Sequence, residues 1–139
     1  MKRDKVFVDT NVIIDWLGSR EPFFDSAKAL FLKSEYGEIT ILVSVMSYMT
    51  TEYILRKQIG KQQVQQALMG LRTISTVCTS GIKEIDLLLV SPIKDFENAI
   101  QYYTALNNSA TVIVTRNQKD FKKSDLPVMN AEQYLRTLK

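Results

Sequence analysis

Short β-branched apolar runs, each ending in polar residues and followed by a stretch of helical periodicity, recur along this chain and constrain its fold more than any other feature. Val6-Phe7-Val8 stops at Asp9-Thr10-Asn11, residue types that cap helices, and Val12, Ile13, Trp16 and Leu17 then keep a helical beat until Gly18. A second helix is expected after Pro22, carrying Phe23, Ala27, Leu30 and Phe31 and ending at Gly37. Ile39 to Val43 reads as the next strand, and Ser44 can cap a helix bearing Met46, Met49, Tyr53 and Ile54. Gly60 separates that helix from another over residues 61–73, whose glutamines Gln62, Gln63, Gln65 and Gln66 form a solvated face. Thr76-Val77-Cys78 is a brief strand, and Gly81 to Val90 is a helix that Ser91-Pro92 breaks. A helix from Asp95 through Leu106, strands over Thr111 to Val114 and Leu126 to Met129, and a terminal helix from Ala131 complete the pattern. Nearly continuous apolar strands separated by helices predict an α/β fold, a three-layer α/β/α arrangement around a central parallel sheet of four to five strands.

With 139 residues, no internal repeat and no Pro/Gly/Ser-rich linker, the chain is expected to be one domain over residues 1–139. The absence of histidine removes Ser-His-Asp and Cys-His nucleophile systems, histidine bases and the usual zinc sites. Any catalysis must therefore use carboxylates, hydroxyls, amines or hard metal ions. The lone Cys78 reads as a small buried apolar residue in a reducing compartment. The net charge of +3, from 18 Lys and Arg against 15 Asp and Glu, is compatible with a polyanionic partner without arguing for one. Met-Lys-Arg-Asp-Lys at residues 1–5 resembles a secretory n-region, but the apolar run after it breaks at Asp9, so a cytoplasmic location is expected. No uncharged apolar stretch approaches the roughly 18 residues of a membrane helix.

In parallel α/β sheets, ligands bind beyond the carboxyl ends of the strands. Three strands here end in polar residues: the first delivers Asp9 and Asn11, the second Ser44 and Ser47, and the Thr111 to Val114 strand delivers Thr115, Asn117 and Asp120. The acidic helix start Asp95-Phe96-Glu97-Asn98 is a fourth contribution. Taken singly, Asp9 could be a cap, Asp95 and Glu97 partners of a helix dipole, and Asp120 a turn residue. Together, carboxylates with amide and hydroxyl oxygens and no histidine form the ligand set of Mg²⁺ or Mn²⁺, in sites that handle phosphates. A phosphotransferase nucleophile motif would need a second aspartate two residues after Asp9, where Asn11 stands.

These motifs resemble those of the PIN-domain nucleases, particularly the branch of VapC-type toxin ribonucleases. Val6 to Asp15 resembles the opening strand and turn of that family, Val43-Ser44-Val45-Met46-Ser47 the entry to its third helix, and Lys94 to Tyr103 with Val114 to Phe121 its third and fourth motifs. The resemblance implies hydrolysis of RNA phosphodiesters on Mg²⁺ or Mn²⁺ held by three or four acids, with a cognate antitoxin and a homodimer as partners. Asp9 falls on the first acid, but the second falls on Thr50 and the third on Asn98. Glu52, two residues on, is turned by about 200° around a helix and cannot take the place of Thr50, whereas Asp95, one turn before Asn98, can substitute. The fourth region offers Asn117 and Asp120. The implied site is thus Asp9, Asp95, Asn98, Asn117 and Asp120, with Asn11, Ser44, Thr50, Glu52 and Thr115 around it. Arg116, Lys119, Lys122 and Lys123, and beyond them Arg56, Lys57 and Lys61, are candidates for RNA phosphates. Because two matched positions are neutral, the alternative is a degenerate module that binds RNA or a protein without cleaving.

Overall fold

The computed structural model describes residues 2–138; Met1, which opens the basic N-terminal run, and Lys139 lie outside them. In chain order the elements are β1 (Lys5–Val8), α1 (Thr10–Leu17), α2 (Phe24–Glu35), β2 (Thr40–Ser44), α3 (Val45–Ile59), α4 (Lys61–Thr73) and β3 (Thr76–Cys78). These are followed by α5 (Ile82–Leu89), α6 (Phe96–Asn107), β4 (Val112–Val114), a 3₁₀ turn (Gln118–Phe121), β5 (Val128–Met129) and α7 (Ala131–Arg136). The expected alternation is present throughout. The last strand is shorter than its apolar run because Pro127 has no N–H to give, although its carbonyl still accepts from Ile113 N–H at 3.0 Å.

The five strands pair in parallel in the order β3-β2-β1-β4-β5. Side chains of β1 alternate between the faces: Val6 and Val8 point into a layer with Ile41, Val43, Val112 and Val114 against α1, α2 and α7, and Phe7 points the other way with Leu42, Cys78 and Ile113 against Tyr102 and Ala105 of α6. Both faces are covered, which is why the strands carry no polar alternation. Cys78 is buried, and burial pushes its thiol pKa up, away from reactivity. Among the described residues no helix is long and apolar enough to cross a membrane.

The strand order reverses at β1. From there the chain proceeds outward through β2 and β3, then returns to place β4 on the other side of β1. A crevice therefore opens beyond the carboxyl ends of β1 and β4, where the crossover connections diverge. Asp9 leaves β1 and Thr115 leaves β4 at that point.

Candidate active site

Asp9 is the N-cap of α1 and is 7% exposed. A buried carboxylate needs its oxygens satisfied, and Asp9 receives four donors. Its Oδ1 accepts from Thr10 N–H (2.9 Å) and Gln101 Nε2 (3.1 Å), and its Oδ2 accepts from Thr115 Oγ1 (2.8 Å) and Asn11 Nδ2 (3.4 Å). The donors are in turn fixed. Gln101 Oε1 accepts from Ser44 Oγ at 2.6 Å, and its Nε2 donates to Ser47 Oγ at 2.9 Å. Ser44 caps α3 by accepting from Ser47 N–H at 3.0 Å, and the Ser47 and Thr10 hydroxyls lie 2.7 Å apart. On the β4 side, Thr115 Oγ1 accepts from Asn11 Nδ2 (3.2 Å) and Asn117 N–H (3.0 Å), while Asn11 Oδ1 accepts from Arg116 N–H at 3.2 Å. Strands β1, β2 and β4 and helix α6 thus meet beneath one carboxylate, and such a satisfied polar network specifies its geometry.

A cleft of about 340 Å³ lies over this carboxylate, lined by Asp9, Asn11, Thr50, Asp95, Asn98, Asn117 and Asp120 of the sequence-derived set, together with Arg20, Glu97 and Gln101. Asp95 caps α6 by accepting from Asn98 N–H at 3.0 Å. Ser44 and Thr115 lie below the cleft as supports for Asp9 and its donors. Glu52, expected around the site, does not line the cleft: it is offset from Thr50 around α3, and its carboxylate pairs with Arg56 at 3.2 Å along the helix. A second cleft of about 480 Å³ shares Asp95, Asn98 and Asp120 with the first and carries Lys94, Lys119, Lys122 and Lys123.

Arg116 has a different position from the one its sequence suggests. Its guanidinium makes a two-pronged ion pair with Asp15, Nε to Oδ2 at 2.6 Å and Nη2 to Oδ1 at 3.1 Å, and stacks on Phe23 with 4.1 Å to the ring centroid. The Asp15 side chain is 2% exposed, so this cation answers a buried charge before any phosphate. Sequence reasoning assigned no role to Asp15 or Gln101. The available signals were an acid inside an otherwise apolar helix and an amide one turn after Asn98 on α6.

The donor chemistry of the cleft is oxygen only, which suits a hard cation. Among the described residues, however, no three Asp, Glu or Cys side chains gather closely enough to cage an ion. Mg²⁺ ordinarily needs one or two carboxylates completed by substrate phosphate and water. The residues present fit that kind of ion, one that binds together with a phosphate, and Asn11 Nδ2, the longest of the four contacts to Asp9, is the donor most easily yielded.

A sequence profile of the PIN domain matches residues 5–119, from β1 into the 3₁₀ turn. The chain belongs to the PIN-domain family. Ribonuclease VapC1 of Aquifex aeolicus is 25% identical over 142 residues, covering 96% of this chain and 95% of that protein. Among solved structures, a toxin-antitoxin complex from Klebsiella pneumoniae superposes with a TM-score of 0.68 at 22% identity, covering 91% of this chain and 97% of the other. VapBC2 from Rickettsia felis, bound to a DNA fragment from their promoter, superposes at 0.67 and 18%, covering 91% and 98%. The fold, with helices on both faces of the sheet, is shared over 91% of this chain.

Proposed function

We propose that this PIN-domain protein is an endoribonuclease that hydrolyses RNA phosphodiester bonds as the toxin of a toxin–antitoxin pair. The observation that carries the reading is Asp9, a buried carboxylate fixed by four donors at the switch point of the sheet, opening into an acidic cleft continuous with one lined by four lysines. The acidic part suits the reacting phosphate and its counter-ion, and the basic part suits the flanking phosphates. The likeness to Ribonuclease VapC1 and to toxin–antitoxin structures supports the same assignment.

Mg²⁺ or Mn²⁺ would be held by Asp9, Asp95, Asn98, Asn117 and Asp120 with the RNA phosphate; such an ion acidifies water and offsets charge on the phosphorane. The chain's own residues supply orientation. Gln101 and Thr115 hold Asp9 from opposite sides, and Asn117 is held to the same Thr115 hydroxyl through its backbone. The reading carries with it a cytoplasmic location and a single domain over residues 1–139. A cognate antitoxin and a second copy are the expected partners, and Ile82, Ile85, Leu89 and Val90 on and after α5 offer exposed apolar surface to such partners.

A second reading, an RNA- or protein-binding module without cleavage, is favoured by the neutral Thr50 and Asn98 in the cleft. One series separates the two. The expected result is that wild-type protein cleaves single-stranded RNA slowly with Mn²⁺, and that Asn98→Asp with Thr50→Glu tightens Mn²⁺ binding roughly tenfold or more and speeds cleavage, because affinity follows ligand charge. RNA left intact by both proteins supports the binding module, and unchanged metal affinity by calorimetry removes these positions from the ion's surroundings.

Lys122 and Lys123 are both exposed in the basic cleft. Replacing both by Ala is expected to flatten the plot of log affinity for single-stranded RNA against log salt by about 0.7 for each phosphate no longer neutralised, without altering sequence preference. An unchanged slope in fluorescence anisotropy places the RNA elsewhere.

A further inference from the structure

Arg20 lies in the acidic cleft with Asp9, Asn98 and Asp120, yet among the described residues its guanidinium makes no ion pair and no hydrogen bond. This is unusual for an arginine in such company. Four carboxylates line the same cleft, from Asp9, Asp95, Glu97 and Asp120, and none is within ion-pair distance of it. The side chain is half-buried and so has given up part of its hydration. Its backbone is held firmly: Arg20 N–H donates to the Asp15 carbonyl and Phe23 N–H donates to the Arg20 carbonyl, each at 3.0 Å. Phe23 is in turn the ring on which Arg116 stacks. The loop carrying Arg20 is therefore tied to the same Asp15–Arg116 pair that braces the loop after β4.

We infer that Arg20 is the cation that grips an RNA phosphate inside the acidic cleft. The inference rests on the RNA reading above and adds to it a residue outside the PIN motifs discussed so far. Arg20 belongs only to the acidic cleft, whereas the four lysines belong to the neighbouring one that joins it at Asp95, Asn98 and Asp120. A single strand gripped by Arg20 in one cleft and by the lysines in the other passes the shared residues Asp95, Asn98 and Asp120 in the cleft that Asp9 lines. The planar fork of a guanidinium, with five fixed donors and none engaged, matches a phosphate better than an ammonium does. With Thr50 and Asn98 neutral, the cleft repels a phosphate less than a full set of acids would, and Arg20 reduces that repulsion further.

The test is binding of a short fluorescein-labelled oligouridylate by anisotropy over a range of NaCl, in EDTA so that cleavage is suppressed, for wild type, Arg20→Gln, Arg20→Lys and Arg72→Gln. Arg72 is exposed near the end of α4, away from both clefts. Arg20→Gln is expected to weaken binding about tenfold at low salt, the effect of one charge-assisted contact, and to flatten the salt slope by about 0.7. Arg20→Lys keeps the slope but loses severalfold in affinity because the fork is gone, and Arg72→Gln changes neither. Wild-type slope and affinity in Arg20→Gln overturn the inference while leaving the RNA reading in place if the Lys122 and Lys123 variant still flattens its slope. If EDTA abolishes wild-type binding the series is read with Ca²⁺ in its place, and a wild-type protein that binds the RNA in neither condition overturns the RNA reading, and Arg20's role with it. Because the Arg20 side chain makes no intramolecular ion pair or hydrogen bond, both variants should melt at the wild-type temperature. Lowered melting of Arg20→Gln with normal melting and full affinity in Arg20→Lys would make it a structural residue instead.

Discussion

Replacing Asp9 by Asn is expected to lower RNA cleavage by at least about a hundredfold, the scale on which a positioned acid–base or charge-bearing group contributes. The substitution keeps the shape and removes the charge. Asn is as good a helix cap as Asp, so α1 retains its start. One oxygen remains to accept from Thr10 N–H and Gln101 Nε2, and the new amide nitrogen faces Thr115 and Asn11. Thr115 Oγ1 already accepts from Asn11 and Asn117 N–H, so its hydroxyl loses its acceptor without gaining a donor, and Asn11 Nδ2 is likewise left donor against donor. A loss of about 1–3 kcal/mol in stability follows, measurable by urea denaturation and too small to account for the loss of activity. A variant that folds and still cleaves at the wild-type rate would show that Asp9 is only a cap.

Replacing Arg116 by Met is expected to destabilise the protein by about 3 kcal/mol, the lower end of the cost of leaving a buried carboxylate unpaired, because the guanidinium side chain is 29% exposed and water can partly replace it. The Asp15 side chain is almost fully enclosed, at 2% exposure, so its charge has no other partner at hand. The stack on Phe23 is removed as well. The double variant Asp15→Leu with Arg116→Met is expected to recover most of the loss, since the penalty belongs to the orphaned charge and not to a missing attraction. Equal stabilities of the single and double variants would contradict this account. Activity should fall further than stability alone accounts for, because the Arg116 backbone N–H holds Asn11 and the next residue, Asn117, lines the cleft.

Much of the architecture was local and could be read without the tertiary structure. Val6-Phe7-Val8, Ile39 to Val43 and Thr111 to Val114 are strands because β-branched and apolar side chains pack on a sheet buried on both faces. Ser44 and Asp95 start helices because their oxygens satisfy N–H groups of the first turn, a property of short segments. Asp9 and Asp120 could be assigned to one sheet edge because, in a parallel sheet, residues after each strand emerge at the same end, whereas Asn98, on a helix that follows a helix, came to it only through the PIN resemblance. Helix geometry alone barred Glu52 from the place of Thr50, but it did not show that Glu52 pairs with Arg56 and stays out of the cleft lining.

What the sequence did not determine depended on which distant segments become neighbours. Gln101 reaches Asp9 across 92 residues, and Arg116 reaches Asp15 across 101, only because β4 returns to the side of β1 opposite β2 and carries α6 beneath it. A basic residue after a strand has the same sequence signature whether it faces solvent, a phosphate or a buried acid. Arg116 was therefore offered to a phosphate, and Arg20 given no role, until the loops between α1 and α2 and after β4 were placed against each other. Periodicity and capping act within a few residues and are written in the chain. The partner of a buried charge is chosen by the crossover topology, and that is decided only when the sheet is assembled.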